Sequence, residues 1–440
     1  MEKRLYIETW GCQMNRHQSE GIAGLLRRSG FVLVDTLADA DIVLFNGCMV
    51  RQKAEEKVYG RIGAVVEEKR RRDVVLGVGG CLGEIRRDGL LKRFQAIDFV
   101  FGVHGHEKLP GLIERLLEGG PRDLLTPGTS EFADVPYERA SAVSAMVTIT
   151  EGCSNFCSYC VVPYARGPMW SRPEAEILAE VEEAVAAGYR EIVLLGQNVN
   201  SYGGDLPGAE DFAGLLTEVA AVGPDRIRFT SSHPRDLTTE ILETMAERKN
   251  IAPHLHVACQ SGSDRILRAM NRGYTREHFL EVVRASREIV PRMNVTTDLI
   301  VGFPGETEQD FAESLDLIER ARFGSIFAAK YSPRPGTASS RREDDVPEEE
   351  KASRLHRVLD RQRQIALEEN ERFIGGESEL LIEGRARDGA WYGRAFDHRT
   401  VVAEAPERTC AAGDLVRVRI EAATAAALSG AVLVPVGGRP

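Results

Sequence analysis

Glu151-Gly152-Cys153-Ser154-Asn155-Phe156-Cys157-Ser158-Tyr159-Cys160 sets three cysteines in one short stretch at the spacing C-x3-C-x2-C. Thiolates so spaced reach three corners of a single iron–sulfur cube. No fourth cysteine lies nearby, so one iron of such a cube keeps no protein ligand. An open metal position suits catalysis, where a closed one suits structure. The competing readings are a zinc knot and a set of core thiols. Zinc normally completes its shell with a fourth Cys or His. His104, His106 and His233 are the nearest histidines along the chain, and none stands at motif spacing.

Outward from that stretch the chain alternates strand and helix signals, with a different rhythm on each side. On the N-terminal side Leu5–Trp10, Asp41–Phe45, Val74–Val78 and Asp98–Phe101 read as strands. Helices are predicted over Ser19–Arg28, Lys53–Arg71 and Leu109–Leu117, with a helical turn after the third strand. Such alternation predicts an open parallel sheet with helices on its faces. Cys12, Cys48 and Cys81 follow the first three strands in turn, at the carboxyl ends where open α/β sheets hold ligands. Three thiols on one sheet edge are set to converge on a second cluster; the alternative is three unrelated core cysteines. Lys69-Arg70-Arg71-Arg72 reads as the solvated C-terminal end of a helix. Residues 119–140, rich in Gly, Pro, Asp and Glu, read as a linker.

From Ala142 the alternation restarts with a longer period. Strands are predicted at Ser144–Thr150, Ile192–Leu195, Ile227–Thr230, His254–Val257, Val295–Val301 and Ile326–Tyr331. Helices fall between them at Glu174–Ala187, Phe212–Ala221, Thr239–Arg248, His278–Val290 and Phe311–Ala321. Six strand–helix units are too few for a closed eightfold barrel and predict a (βα)6 partial TIM barrel, with its chemistry on the loops after the strands. Those loops carry glycine or polar residues: Gly196-Gln197-Asn198-Val199-Asn200, Ser231-Ser232-His233-Pro234, Gln260-Ser261-Gly262-Ser263, Gly302-Phe303-Pro304-Gly305-Glu306 and Ser332-Pro333-Arg334-Pro335-Gly336, besides the cysteine stretch itself. Gly and polar residues at strand ends let a ligand approach the backbone closely; the plainer reading is ordinary turn chemistry. A charged helix over Pro347–Arg372 leads away from the barrel.

Beyond Phe373, short strand-like runs alternate with glycine turns: Ser378–Gly384, Trp391–Arg394, Thr400–Val402 and Leu415–Ile420. This pattern predicts a small antiparallel, OB-like β-barrel of the kind that holds single-stranded or looped nucleic acid. The last lysine of the chain is Lys351, and the basic side chains beyond it, histidines aside, are arginines, among them Arg385, Arg387, Arg394, Arg399, Arg417 and Arg419. The flat guanidinium fork pairs with phosphate and stacks on bases better than an ammonium does. Trp391 and Tyr392 either stack on a ligand or fill the barrel.

At 440 residues the chain accommodates two or three domains, and its composition is that of an ordinary globular protein. The formal net charge of -11 argues against a globally basic nucleic-acid binder but not against a local basic surface. No run of about 18 apolar residues and no signal peptide are present, so the expectation is a cytoplasmic protein with no membrane partner. Eight cysteines, five of them standing alone, fit a reducing compartment better than a disulfide framework.

Over nearly its whole length the chain resembles the radical S-adenosylmethionine methylthiotransferases. The matching pieces are Thr9–Asn15, Asn46–Arg51, Gly79–Cys81, Glu151–Cys160, Val161–Gly167 with Ser171–Pro173, Leu195–Tyr202, Gln260–Ser263 and Asp298–Thr307. Two departures stand out. Gly47 occupies a position that is usually Thr in the family, and Ala258-Cys259 replace the usual Pro and aliphatic residue. Neither removes a cluster ligand. Cys259 and Cys410 match no ligand position and read as structural.

The resemblance implies residues 1–120 as an N-terminal methylthiotransferase domain, 121–140 as a linker, 141–372 as the radical S-adenosylmethionine partial barrel, and 373–437 as a TRAM RNA-binding domain. It implies two [4Fe–4S] clusters, an auxiliary one on Cys12, Cys48 and Cys81 and a radical-generating one on Cys153, Cys157 and Cys160. The second of these binds S-adenosylmethionine at its open iron and yields a 5'-deoxyadenosyl radical. The auxiliary one holds the sulfur to be inserted. Gln197, Asn198, Ser261 and Asp298 are candidate contacts to the bound S-adenosylmethionine, and Arg385, Arg387, Arg394 and Arg399 to RNA.

C2 of an adenine is a poor site for polar attack, so such chemistry belongs to a cofactor. The residues after Cys160, Val161-Val162-Pro163-Tyr164, resemble the family's tRNA branch, which modifies N6-(dimethylallyl)adenosine at position 37 of the anticodon loop. That branch implies tRNA as partner, an external electron donor such as flavodoxin or ferredoxin, and a sulfur donor. The alternatives are the branch acting on an aspartate of ribosomal protein S12, the branch acting on threonylcarbamoyl-adenosine, and a non-catalytic iron–sulfur redox sensor that binds RNA.

Overall fold

A computed structural model describes residues 3–125, 137–208, 210–405 and 410–435. By its internal contacts the chain divides into two compact units. One consists of Met1–Ala140, Glu151–Trp170 and Ser332–Ser340; the other of Ser141–Thr150, Ser171–Tyr331 and Arg341–Pro440. The cysteine stretch, although it interrupts the barrel segment in sequence, therefore belongs to the first unit. Among the described residues no helix is long and apolar enough to cross a membrane.

The first unit is built on a six-stranded parallel sheet in the order β2-β1-β3-β4-β5-β6. Its elements in sequence are β1 (Lys3–Trp10), α1 (Gln13–Arg28), β2 (Phe31–Leu33), β3 (Ile42–Gly47), α2 (Gln52–Lys69), β4 (Val75–Gly79), α3 (Cys81–Arg86), α4 (Asp88–Arg93), β5 (Phe99–Val100), α5 (Leu109–Leu117) and β6 (Asp123–Leu124). All of β3 is buried, as a central parallel strand covered by helices on both faces must be. Val43 and Phe45 enter one core with Val58, Ile62 and Leu82; Ile42 and Leu44 enter another with Leu26, Phe99 and Leu112. Two strands exceed the four that the pattern predicts. Phe31–Leu33 and Asp123–Leu124 are too short to show an alternation, and the second lies within the stretch that reads as linker. The linker residues 126–136 lie outside the described residues.

The second unit contains the six predicted parallel strands, now bounded as Ser144–Thr148, Glu191–Leu195, Arg226–Phe229, His254–His256, Asn294–Val301 and Ser325–Lys330. They pair in two parallel trios, and the bridges Ile227–Ile251 and Ser232–Val257 join the trios into one curved succession. One apolar core, including Val147, Ile192, Leu194, Phe229, Leu255, Val295 and Val301, fills its inside and the layer beneath its helices. Helix Glu348–Glu371 completes that core with Val358 and Ile365. Arg354 on this helix donates to Glu306 Oε2 at 2.7 Å, both side chains being buried.

The chain then closes a five-stranded barrel from Glu377–Arg385, Trp391–Ala395, Thr400–Glu404, Leu415–Ala423 and Leu428–Pro435. The final strand goes beyond the four predicted, because its glycine and terminal proline mask its apolar run. Its pairing with Thr400–Glu404 is parallel, whereas the other ladders are antiparallel. Within the same unit Arg226, 1 % exposed, donates to the carbonyls of Arg394 and Ala395 at 3.0 Å each and to Glu379 Oε1 at 3.1 Å. Asn294 Nδ2 likewise donates to the carbonyl of Asp397 at 2.8 Å. These bonds fasten the small barrel to the partial one.

Candidate metal centre

The first three cysteines come together because their strands do. Trp10 pairs with Gly47, and Asn46 pairs with Gly79, so β1, β3 and β4 end level with one another. Cys12 and Cys81 follow two residues past the ends of β1 and β4, and Cys48 one residue past β3. Cys48 N–H donates to the carbonyl of Trp10 at 2.8 Å. Beneath the thiols, Asn15 Nδ2 donates to Asn46 Oδ1 at 2.8 Å, and Asn46 Nδ2 donates to Asn15 O and Ser19 Oγ at 3.0 and 2.9 Å.

Glycine is required at two turns here. Gly11, at φ +146°, carries the chain so close to Cys48 that a Cβ on it would fall 2.3 Å from Cys48 Cβ. At Gly80, with φ +74°, a Cβ would fall 2.0 Å from Asn46 Oδ1. The departure at Gly47 also has a packing reason, since a Cβ there would press on Leu82 and Val58 at 2.9–3.1 Å.

The three sulfurs share charge unequally. The Cys48 thiol donates toward the exposed Cys12, and this, with the nearby Arg166 charge, holds Cys12 down to about 5. The same partnership and burial push Cys48 well up, and burial raises Cys81. Two buried arginines flank the triad, each anchored by a glutamate. Arg334 lies 3.6 Å from Glu55 and donates to the carbonyl of Val50 at 3.2 Å, while Val50 N–H donates to Cys48 Sγ at 3.3 Å. Arg166 Nη1 donates to Glu151 Oε1 at 2.5 Å, and its charge also acts on Cys81.

Glu151 and Arg166 bracket the second cysteine motif, which lies in the same compact unit as the first triad. Cys153 N–H donates to the carbonyl of Gly167 at 3.1 Å and closes the loop at its base. Gly152, at φ +73°, leaves no space for a side chain against the Pro168 carbonyl. Cys160 N–H donates to Cys157 O at 3.0 Å, forming the turn that brings those two residues round. Phe156, also at positive φ, is 55 % exposed and meets Tyr164 edge-on at 6.5 Å.

The donor set fits iron–sulfur chemistry. Among the described residues, which include all eight cysteines, there is no disulfide. Among the described residues no group of three His, Cys, Asp or Glu side chains is arranged around one metal-ion position. A cube spreads its thiolates over three separate irons and needs no such convergence.

In the second unit, Gln197 and Asn198 follow the strand Glu191–Leu195, and Asn198 Nδ2 donates to Asp236 Oδ2 at 2.6 Å. Several buried polar atoms beyond the first three barrel strands have no hydrogen-bond partner among the described residues: Thr150 Oγ1, Gln197 Oε1, Asn198 Oδ1, both amide atoms of Asn200, and Ser232 Oγ. Orphaned groups of this kind are costly unless a ligand meets them. Their chemistry suits the amino-acid and ribose groups of S-adenosylmethionine. Ser261 is buried and accepts from Ser263 N–H at 3.2 Å. Asp298 lies inside its strand, opposite Phe327, with His256 Nε2 at 3.1 Å from Oδ2. Thr150, Asn200, Ser232 and Arg166 are additions to the residues singled out from sequence. Asn200 and Arg166 stand in matched stretches, but only tertiary burial marks them off from their neighbours.

The four arginines proposed for RNA separate into two pairs. Arg385 and Arg387 are exposed, with Arg385 stacked over Trp391 at 5.3 Å. Arg394 and Arg399 are half-buried and engaged: Arg394 donates to Thr400 Oγ1 at 2.7 Å, and Arg399 to Asn370 Oδ1 at 3.0 Å while pairing with Asp397. Cys259 is buried with its thiol pushed up to about 12, and Cys410 lies in the core of the small barrel.

Comparison with known proteins agrees with this layout. Residues 147–318 match the radical SAM superfamily, and residues 4–102 match the uncharacterized protein family UPF0004. A tRNA-2-methylthio-N(6)-dimethylallyladenosine synthase of Carboxydothermus hydrogenoformans is 45% identical over 428 residues, covering 95% of this chain and 97% of its own. The protein of the same name from Thermotoga petrophila is 41% identical over 433 residues, covering 98% and 97%. Among solved structures, the radical S-adenosylmethionine methyltransferase TsrM from Kitasatospora setae, with cobalamin and a [4Fe-4S] cluster bound, superposes with a TM-score of 0.58. At 16% identity, covering 77% of this chain and 74% of the other, that likeness concerns the fold alone.

Proposed function

We propose, from the premise that the chain belongs to the family of the tRNA-2-methylthio-N(6)-dimethylallyladenosine synthases, that it replaces the C2 hydrogen of N6-(dimethylallyl)adenosine at position 37 of tRNA with a methylthio group. The observation that carries the reading is the gathering of Cys12, Cys48 and Cys81 at three level strand ends, in one compact unit with the Cys153–Cys160 motif. When bound, a [4Fe–4S] group on Cys153, Cys157 and Cys160 with S-adenosylmethionine supplies radical chemistry, and one on Cys12, Cys48 and Cys81 supplies the sulfur.

The chain's own residues hold, orient and shield. Gly11 and Gly80 bring backbone against the first triad where a side chain would displace a thiol or its supporting amide. The buried Asn15–Asn46 pair braces that edge. Gln197, Asn198, Thr150, Asn200 and Ser232 offer unmet donors and acceptors to the polar ends of S-adenosylmethionine, with Ser261 and Asp298 further along the same unit. Exclusion of water around these groups limits quenching of a reactive intermediate. Residues 1–120 serve the auxiliary group, 141–372 S-adenosylmethionine, and the small barrel within 373–437 the RNA through Arg385 and Arg387. The reaction also calls on an external electron donor such as flavodoxin or ferredoxin and on a sulfur donor, and its tRNA substrate places the work in the cytoplasm.

Mass analysis of tRNA nucleosides from a strain lacking the corresponding synthase tests this directly. Wild-type chain should restore the methylthio group on dimethylallyladenosine, and Cys81→Ala should not. Absence of the group in cells expressing the iron-loaded wild type would refute the assignment.

A further inference from the structure

Arg166 ends the short helix Val162–Arg166, which packs on α3 beginning at Cys81. Val161 and Ala165 share a core with Cys81 and Leu82, so the guanidinium is carried into the interior, where its side chain is 3 % exposed. Nη1 is taken by Glu151 at 2.5 Å. Nη2 is buried with no hydrogen-bond partner among the described residues. Glu151 in turn has His104 Nδ1 at 3.9 Å from its other oxygen.

A buried guanidinium costs several kcal/mol unless its hydrogens are met. One glutamate leaves a nitrogen over, and the helix that carries it packs on α3, whose first residue is Cys81. We propose that Arg166 is a positioning residue for the iron–sulfur group on Cys12, Cys48 and Cys81. It donates a charge-assisted hydrogen bond to the Cys81 sulfur, ties that corner to the base of the second cysteine loop through Glu151, and raises the group's reduction potential. The inference rests on the reading that the first triad holds such a group. Its physical basis is that a hydrogen bond and a positive charge at a ligating sulfur stabilise the form carrying the extra electron. An arginine with a purely structural role would brace the helix and leave the potential where it is.

The test uses the full-length chain carrying Cys153→Ala, Cys157→Ala and Cys160→Ala, reconstituted anaerobically with iron and sulfide so that only the first triad is loaded. Iron analysis and an EPR-monitored redox titration are the readouts. This background should bind about four irons per chain. Arg166→Gln should keep them and titrate at a more negative midpoint, and Arg166→Lys should fall between. Glu151→Gln, which removes the anion opposing Arg166, should shift the midpoint the other way. Unchanged midpoints in R166Q and E151Q at full iron load would overturn the inference. Should R166Q fail to take up iron, R166K decides alone: a negative shift supports the role, and an unchanged midpoint refutes it. An iron-free triple-alanine background would instead strike down the reading beneath, and the inference with it.

Discussion

Replacing His398 by Asn should reduce the acid sensitivity of the second unit. His398 sits at φ +69°, a conformation that Asn accepts more readily than most residues. Arg228 Nη1 lies 3.3 Å from its Nε2, and Arg228 is itself fastened to Glu191 at 2.9 and 3.0 Å. The His254 ring lies 4.7 Å from that of His398. Burial, and then the charges of Arg228, Arg394 and Arg226, push the pKa of His398 far down; burial and the His398 and Arg228 charges do the same to His254. His233 is held down to about 3 by burial and Arg272. All three are neutral in the fold, whereas the unfolded chain protonates them near pH 6.5. Stability is therefore full above that pH and falls steadily below it. At pH 5.5 each costs about 1.4 kcal/mol, or roughly 4 kcal/mol for the three. Burial would raise Glu191, but Arg228 holds it to about 2, so it stays ionised throughout this window. Urea unfolding at pH 8 and pH 5.5, followed by Trp391 fluorescence in a Trp10→Phe, Trp170→Phe background, reads the effect. H398N should remove about 1.4 kcal/mol, a third of the pH dependence. Equal pH dependence in variant and parent would refute the reasoning.

Gly11→Ala combines a strained φ of +146° with a Cβ 2.3 Å from Cys48 Cβ. Strain and overpacking together amount to roughly 2–6 kcal/mol at the first triad. Reconstituted G11A should therefore retain about half the iron of the wild type, whereas Gly60→Ala, where a Cβ meets nothing, should retain all of it; iron analysis decides. Removing the exposed pair with Arg385→Ala and Arg387→Ala should weaken tRNA binding and lower the slope of log affinity against log salt by about 1–2, with thermal stability unchanged. A filter-binding salt series with an undiminished slope would exclude both from phosphate contact.

Much of this architecture was legible in sequence because apolar runs are dense where strands are buried on both faces. Asp41–Phe45 and Ile192–Leu195 coincide with fully buried strands, Ile42–Gly47 and Glu191–Leu195. Short strands escape such reading. Asp123–Leu124 has two residues, and Leu428–Pro435 is broken by Gly430, whose backbone approaches that of Arg419 too closely for a side chain. Position after successive strands located Cys12, Cys48 and Cys81, because level strand ends follow from parallel register. What spacing cannot report is burial. Arg166 and Arg385 look alike along the chain, yet one is interior and the other exposed. Nor can spacing report that Arg394, also a candidate RNA contact, donates to Thr400, or that Arg399 donates to Asn370 and pairs with Asp397. Asp298 sits inside a strand beside His256, since alternation there gives no hint of its partner.

Because the first unit draws on Met1–Ala140, Glu151–Trp170 and Ser332–Ser340, it is complete only late in translation. At about 5–20 residues per second, roughly 10–40 s separate the making of its first segment from its last. During that interval the segment with Cys12, Cys48 and Cys81 exists without Arg334, which in the finished fold donates to the carbonyl of Val50. The first unit can therefore not close on its last segment until most of the chain has been made.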